Sequence, residues 1–348
     1  SVSVQKMVTR RTDLAEMPLG FGSMTDKTEQ LVAGVIEGDR KAIARAITIV
    51  EKTGSMAASV IKGVYHRSGR ASVIGVTGSP GVGKSTLVDR VTAILRSQER
   101  TVGVLAVDPT SPFSGGAVLG DRIRMQTHAD DHDVFVRSMA TRGQLGGLSR
   151  ATSDAAVILD AAGFDVIVLE TVGVGQAEIE VSRAADMTIV VTMPGVGDGV
   201  QALKAGIMEI ADAFVVNKAD HEGADRTVSE IESMLELGHS SSEDWQPPVL
   251  KTRANDGFGV ADLVGVVDRF ITWAGNGVER RRRARVATRL RQIVSARFLD
   301  HAEGEGLEPG AFDQLIDRVA GAVIDPYTAA DEIVGVALST SQEKSRRV

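Results

Sequence analysis

The strongest constraint on the fold of this 348-residue chain is a glycine-rich segment, Gly78-Ser79-Pro80-Gly81-Val82-Gly83-Lys84-Ser85. It matches the pattern G-x-x-x-x-G-K-[ST], follows an apolar run and precedes a helical pattern that begins at Thr86. Glycines let consecutive backbone N–H groups point inward around phosphates, and the N-terminus of the following helix adds its dipole. We therefore predict a phosphate-binding loop, with Lys84 at the β- and γ-phosphates of a nucleoside triphosphate and Ser85 at Mg²⁺.

The region that follows Ser72 contains short apolar runs rich in β-branched residues, most of them separated by segments long enough for a helix. These runs are Val73–Val76, Val102–Val107, Val134–Val136, Val166–Leu169, Ile189–Thr192, Phe214–Val216 and Val249–Leu250. Apolar strands that alternate with helices are typical of a parallel sheet covered on both faces. The sequence therefore predicts an α/β domain over residues 72–273. We expect a doubly wound, mostly parallel sheet that binds its ligand at the carboxyl ends of the strands.

The regions on either side of this domain have different patterns. Residues 1–27 lack periodicity and are predicted to form a flexible tail. Residues 28–71 have apolar positions at helical spacing and predict an N-terminal helical extension, with breaks at Gly38 and Gly54.

Residues 274–348 are predicted to form a C-terminal helical arm. Its first helix is rich in arginine and repeats apolar residues on one face. A second helix is predicted over about residues 309–324, and Asp325-Pro326 separates it from a short last helix. The basic face of the first helix is interpreted as solvated, with a partner surface or an anion site as alternatives.

Composition excludes several classes of chemistry. The chain has no cysteine, so disulfides, thiolate metal sites and cysteine nucleophiles are excluded. Its formal net charge of -7 does not favour nucleic acid or a membrane surface as a partner. No apolar run approaches the roughly 20 residues that span a bilayer. We expect a cytoplasmic protein.

Acidic residues follow two of the predicted strands. Glu170 opens Glu170-Thr171-Val172-Gly173, and an acid at this place typically holds Mg²⁺ directly or through water, while Gly173 offers a backbone N–H to a γ-phosphate. Asp108 ends another strand and is predicted to order Mg²⁺-bound water. The alternatives are an acid that caps a loop at Glu170 and an Asp-Pro turn at Asp108.

Asp121 follows a Gly/Ser-rich loop and is predicted to be a switch residue that approaches the metal when triphosphate is bound. An ordinary helix N-cap is the alternative. Arg122 and Arg124 are candidates for phosphate contacts, with solvated side chains as the alternative.

The tetrapeptide Asn217-Lys218-Ala219-Asp220 follows another predicted strand and matches the N-K-x-D element of GTPases. A carboxylate accepts hydrogen bonds from both guanine N1–H and the exocyclic amine, a pair that adenine does not offer. The motif therefore predicts that Asp220 reads guanine, that the Lys218 stem packs on the base and that Asn217 holds the loop. The loop that contains Thr252, Arg253 and Ala254 is predicted to place a backbone N–H on guanine O6, with a plain loop as the alternative.

The sequence combines Gly78–Ser85, Glu170–Gly173 and Asn217–Asp220, and this set resembles the metallochaperone branch of P-loop GTPases. In that branch a Glu replaces the Asp that usually follows the metal-binding strand. Longer matches over Val107–Pro112, Gly115–Arg122 and Glu170–Gln176 resemble the MeaB/ArgK family of methylmalonyl-CoA-mutase-associated GTPases. The resemblance covers residues from about 28 to 335.

The resemblance implies a GTPase that binds GTP or GDP with Mg²⁺ and associates with adenosylcobalamin-dependent methylmalonyl-CoA mutase or a related acyl-CoA mutase. Such proteins gate cofactor loading, protect or rescue the mutase, and form homodimers through the C-terminal arm. The resemblance also implies a further switch over Pro194–Gly199 that continues to Gln201 and Lys204. Lys204 would supply positive charge to hydrolysis when the partner docks.

Ras-like GTPases orient the attacking water with a Gln directly after D-x-x-G, and this chain has Val174 there. Gln176 lies further along the loop, so we expect slow intrinsic hydrolysis that a partner stimulates. His128 and His132 are close to metal-ligand spacing but lie in a charged segment, and we interpret that segment as a surface loop. The alternatives for function are an ATP-dependent kinase or ATPase of a lysine/arginine/ornithine transport system and a non-hydrolysing nucleotide-dependent scaffold.

Overall fold

A computed structural model describes the chain over residues 26–52, 54–108, 126–128, 130–140, 150–171, 177–195, 208–237, 245–302, 307 and 310–345. Contacts between Cα atoms divide the chain into two units, one formed by residues 1–242 and 246–266 and the other by residues 243–245 and 267–348. Within the described residues, no helix is both long enough and apolar enough to cross a membrane.

The described strands form a seven-stranded sheet, and each lies on one of the predicted apolar runs. They are β1 (Ser72–Thr77), β2 (Val102–Asp108), β3 (Val134–Ala140), β4 (Val166–Thr171), β5 (Met187–Thr192), β6 (Ala213–Val216) and β7 (Val249–Lys251). Every strand pair within this sheet is parallel. The predicted doubly wound α/β fold is confirmed.

The described helices alternate with these strands and extend beyond them at both ends. They are α1 (Asp26–Ile36), α2 (Arg40–Lys52), α3 (Ser55–Val64), α4 (Lys84–Ser97), α5 (Arg150–Ala161), α6 (Ala177–Ala184), α7 (Met208–Ile210), α8 (Ala224–Leu237), α9 (Val260–His301), α10 (Ala311–Ala320) and α11 (Pro326–Ser345). Short 3-10 helices cover Tyr65–Arg67 and Gln126–His128.

The strand order β3-β2-β4-β1-β5-β6-β7 decides which loops meet. Strand β1 lies between β4 and β5, so Val76 is opposite Glu170 on one side and Ile189 on the other. Strands β6 and β7 extend the sheet beyond β5. The loop after β1 therefore lies beside the end of β4, and the loops after β6 and β7 lie on its other side. This is the position where open parallel sheets bind their ligands.

The N-terminal helices belong to the core of the first unit. Apolar residues at helical spacing on α1, α2 and α3, including Val35, Ile43, Ile47 and Val60, are almost fully buried. They share one hydrophobic cluster with α5 and with residues of β2, β3 and β4. Side chains of α4, including Leu87, Val88 and Val91, line a small apolar gap together with residues of β1, β4 and β5. The predicted breaks at Gly38 and Gly54 lie between the helices.

The second unit is helical, and it differs from the sequence-based expectation in one place. The run Ala-Gly-Asn-Gly at residues 274–277 contains a kink at Gly275 (φ 31°, ψ -107°), where two helical segments join within α9. The last helix was expected to be short, but α11 has 20 residues. Proline fits the first position of α11 because that position needs no N–H donor, and Asp325 accepts hydrogen bonds from the next N–H groups of Tyr327 and Thr328.

Candidate nucleotide-binding site

The phosphate-loop segment connects β1 to α4, and its glycines are required by the backbone. Gly78 has a φ of 139°, and a Cβ atom there would lie 1.9 Å from the carbonyl oxygen of Val191. Gly83 has a φ of 93°, and a Cβ atom there would meet the Asn217 side chain at 2.5 Å. A larger residue at either position would therefore displace β5 or the Asn217 side chain.

Lys84 is the first residue of α4 and is only 6% exposed. Its Nζ donates hydrogen bonds to the carbonyl oxygens of Gly78 (2.7 Å) and Ser79 (2.9 Å). Burial of an ammonium group is costly unless polar partners satisfy it. The Lys84 side chain is thus folded back across the loop, where its charge lies close to the backbone that would surround phosphates.

Ser85 and Glu170 form a buried pair of oxygen groups beside the loop. The Ser85 Oγ donates a hydrogen bond of 2.5 Å to Glu170 Oε1, and Glu170 is 5% exposed at the end of β4. Behind them, the Thr171 hydroxyl donates to the Thr77 hydroxyl at 3.0 Å and joins β4 to β1. A hydroxyl and a carboxylate are hard oxygen ligands of the kind that Mg²⁺ prefers, so the donor set of this pair fits the ion.

Several predicted metal and switch residues fall outside what the structure describes. Asp108 ends β2 and pairs with Ala140 of β3, but its side chain is not described. Asp121, Gly173 and Lys204 lie outside the described residues. The same holds for Arg122, Arg124, Val174 and Gln176. Among the described residues, no group of three or more potential metal ligands is present.

Asn217 joins the phosphate loop to the base-reading loops. It is 2% exposed, and its Nδ2 donates to the carbonyl oxygen of Val82 at 2.8 Å. Its Oδ1 accepts hydrogen bonds from the Thr252 hydroxyl and from the Ala254 backbone N–H, both at 3.0 Å. The amide is therefore satisfied on both sides, and it holds three separate segments of the chain together.

Lys218 and Asp220 lie on the open side of this network. Lys218 has a left-handed backbone (φ 56°), and its Nζ donates to the carbonyl oxygen of Gly81 at 2.9 Å, so its stem runs along the loop. The Asp220 side chain is 56% exposed, and one of its oxygens lies 3.9 Å from His221 Nε2. The carboxylate of Asp220 is thus accessible to a ligand.

The loop after β7 leaves open a different N–H group from those that the sequence indicated. The N–H of Arg253 donates to the Phe258 carbonyl, and the N–H of Ala254 donates to Asn217. The Arg253 guanidinium stacks over the Phe258 ring at 4.7 Å and pairs with Asp256. Within the described part of the chain, the N–H of Asn255 donates to no acceptor. The sequence does not indicate Asn255. The N–H of Ala254 is occupied by Asn217 only because β6 and β7 are adjacent, and this adjacency is not visible in the local sequence.

These segments enclose a cavity of about 280 Å³. Its lining includes Gly83, Thr86, Asn217, Lys218, Asp220, His221, Arg253, Ala254 and Asn255. The cavity begins beside the phosphate loop and ends at the open carboxylate and N–H groups. This arrangement fits a purine nucleotide with its phosphates at α4.

The charged segment between the two histidines lies in an exposed turn, as expected, but His128 itself is largely buried. His128 closes a 3-10 helix, and its side chain is only 10% exposed. Its Nε2 lies 3.2 Å from the Asp89 carbonyl oxygen and 3.4 Å from the Asp89 carboxylate, while Thr127 donates to the same carboxylate. His132 is exposed and lies in the loop before β3. The two histidines therefore have separate surroundings.

The fold and the site together define a P-loop protein of the GTPase class. A family model described as "Methylmalonyl Co-A mutase-associated GTPase MeaB" matches residues 43–306. The chain belongs to this family of GTPases, and the sequence-based recognition of the family is confirmed.

Relatives agree with this membership, and one solved structure shares the fold. A candidate GTPase of Pyrococcus abyssi is 46% identical over 323 residues, which are 90% of this chain and 99% of that protein. The mitochondrial methylmalonic aciduria type A homolog of Mus musculus is 32% identical over 325 residues, which are 87% of this chain and 78% of that protein. The crystal structure of a LAO/AO transport system kinase covers 90% of this chain and 99% of its own, with a TM-score of 0.67 and 24% identity, and so shares the fold.

Proposed function

We propose that this GTPase is a Mg²⁺-dependent chaperone of adenosylcobalamin-dependent methylmalonyl-CoA mutase, acting in the cytoplasm. It gates loading of the mutase cofactor and protects or reactivates the mutase. The observation that carries this proposal is the match of residues 43–306 to a family described as mutase-associated. The murine relative, whose name refers to methylmalonic aciduria, supports the same partner.

We propose that guanine occupies the 280 Å³ cavity. Asp220 accepts from guanine N1–H and the exocyclic amine, and the open N–H of Asn255 donates to O6. The stem of Lys218 covers the base, and Gly78–Thr86 surround the phosphates. The exposure of the Asp220 carboxylate and the engagement of the Ala254 N–H support these assignments.

We propose that Ser85 and Glu170 hold Mg²⁺, that Asp108 orders Mg²⁺-bound water and that Asp121 approaches the metal when triphosphate is bound. When bound, the ion neutralises phosphate charge and orients the β- and γ-phosphates. Lys84 exchanges the carbonyl oxygens of Gly78 and Ser79 for phosphate oxygens. Gly173 donates its N–H to the γ-phosphate.

Hydrolysis by the isolated protein is proposed to be slow. Val174 has no group that orients water, so an additional group has to be moved into the site when the mutase binds. Lys204 is the proposed source of positive charge in that state. Intrinsic turnover of tens per second would contradict this part of the proposal.

We propose that the protein is a homodimer and that residues of α9 form its interface. Val286, Leu290 and Val294 lie four residues apart and are 49%, 58% and 57% exposed. Large apolar side chains in such a row are more often covered by a partner than left in water. Light scattering of the wild type and of Leu290→Glu tests this assignment, and a monomeric wild type would contradict it.

The decisive experiment combines a pull-down with turnover measurements. The protein is immobilised with GDP or with a non-hydrolysable GTP analogue, and purified mutase is added. We expect the amount of bound mutase to depend on the nucleotide, and GTP turnover to rise at least tenfold with mutase, a modest share of the stimulation that partner proteins achieve. Lys84→Ala is the control without phosphate binding. Equal turnover with and without mutase would contradict the chaperone role.

The alternative function, an ATP-using kinase or ATPase of a transport system, is tested by nucleotide titration. Guanine selectivity requires that wild-type protein binds GTP much more tightly than ATP, and that Asp220→Ala removes the difference. A wild type that binds both nucleotides equally would favour the alternative.

A further inference from the structure

Arg90 connects the phosphate-binding helix to the base-reading loop. It lies on α4, and its Nε donates to the Ala254 carbonyl oxygen at 3.1 Å. Its Nη2 donates to the Asn255 carbonyl oxygen at 2.7 Å. The two contacts use separate nitrogens of one planar guanidinium, so they constrain the direction of the loop as well as its distance from α4.

The contact with Ala254 defines the orientation of a particular N–H group. The Ala254 carbonyl and the Asn255 N–H belong to the same peptide group, which is planar and trans. In such a group the N–H points opposite to the C=O. Because Arg90 binds the C=O from the side of α4, the Asn255 N–H points away from Arg90.

The neighbouring contacts leave this N–H as the donor for the cavity. The Ala254 N–H on the preceding peptide is held by Asn217 at 3.0 Å, so the loop is anchored on both sides of the Ala254 residue. Asn255 lines the base cavity. A loop anchored at only one of these two places would be free to rotate the 254–255 peptide.

We propose that Arg90 is a positioning residue for base selectivity, which orients the 254–255 peptide so that the Asn255 N–H meets the oxygen on purine C6. The inference rests on the guanine site proposed above and does not depend on the partner protein. Arg90 lies on the far side of the peptide from the base and acts only through the loop. A lysine at this place keeps the charge but loses the two-pronged geometry.

The test compares GDP with 2-aminopurine riboside 5′-diphosphate, which keeps the exocyclic amine but lacks both the oxygen on C6 and the hydrogen on N1. Affinities of wild type, Arg90→Ala and Arg90→Lys are measured by calorimetry. We expect Arg90→Ala to weaken GDP binding about fivefold, as is typical for a lost hydrogen bond at a partly exposed site, and to leave binding of the analogue unchanged. Arg90→Lys is expected to lie between the two.

Arg45→Ala, on the exposed face of α2, is the matched control for removal of an arginine. Equal losses for GDP and the analogue, or no loss for either, would overturn the inference. A wild type with no preference for GDP over the analogue would instead overturn the proposed guanine site. The melting curve shows whether Arg90→Ala folds. If it does not, an unchanged preference of Arg90→Lys for GDP over the analogue overturns the role of Arg90.

Discussion

The two ends of the nucleotide site differ in how their polar groups are engaged. At the phosphate end, Lys84 and Ser85 are buried and are bound to protein acceptors, the loop carbonyls and Glu170. At the base end, the Asp220 carboxylate is largely exposed, and the hydrogen bonds of Asn217 lie behind the cavity. A ligand therefore has to exchange partners at the phosphate end, whereas the base end is already arranged to receive it.

The difference indicates which end responds to the nucleotide. In the proposed site, an exchange of partners would move Lys84 and separate Ser85 from Glu170, so the end of β4 would respond to the phosphates and the metal. At the base end, binding requires little rearrangement of the protein, so the proposed contacts there contribute affinity and selectivity. Variants at the phosphate end should change hydrolysis and metal dependence, and variants at the base end should change the choice of nucleotide.

The largest expected effect is that of Lys84→Ala. Loss of the buried Lys84 charge should lower GTP turnover by about 10³-fold, because charge on the transferred phosphoryl group is no longer stabilised. Single-turnover hydrolysis measures the effect. Lys52→Ala, at the exposed end of α2, is the control. Wild-type turnover in Lys84→Ala would show that the phosphate end does not contribute to catalysis.

Asp220→Asn should change the choice of base without loss of phosphate binding. An amide cannot accept from both guanine donors, so GTP affinity should fall roughly 10- to 100-fold, while xanthosine triphosphate, with a carbonyl in place of the amine, should bind more tightly than GTP. Competition binding measures both nucleotides. Glu222→Gln, an exposed carboxylate two residues away, is the control. Equal affinity for GTP in variant and wild type would refute guanine reading by Asp220.

Glu170→Gln should raise the Mg²⁺ concentration needed for half-maximal GTP turnover by about tenfold, since the amide keeps the shape of the side chain but loses its charge. Turnover is measured across a magnesium titration, with a chelator as the zero point for both proteins. Glu37→Gln, on the surface after α1, should titrate like the wild type. An identical magnesium dependence in Glu170→Gln would exclude Glu170 as a metal-site residue.

The smallest expected effect is that of Thr252→Val at the base end. The buried hydroxyl loses its hydrogen bond to Asn217 Oδ1, which should lower the free energy of unfolding by about 1 kcal/mol. Because the Ala254 N–H still binds Asn217, GDP affinity should fall less than in Asp220→Asn. Urea unfolding and GDP titration measure the two quantities, with the exposed Thr272→Val as the control. A larger affinity loss than in Asp220→Asn would contradict a preformed base end.

Local patterns predicted the strands and the phosphate loop well, because each depends on short-range properties. The apolar β-branched run Val166–Leu169 is buried on both faces of the sheet because its strand lies in the interior of the sheet. Local patterns were less informative in the last helix, which was expected to be short but has 20 residues.

By itself, the sequence determined the class of the protein and the identity of its reading groups, because Gly78–Ser85 and Asn217–Asp220 carry the required chemistry within a few consecutive residues. Only the tertiary structure decided how those groups are joined. Because β6 and β7 are adjacent, the Ala254 N–H donates to Asn217, and the Asn255 N–H of the same loop stays open. The fold also brings Arg90 of α4 to this loop, although the two are more than 160 positions apart in the sequence. These contacts depend on strand order, which no local pattern encodes.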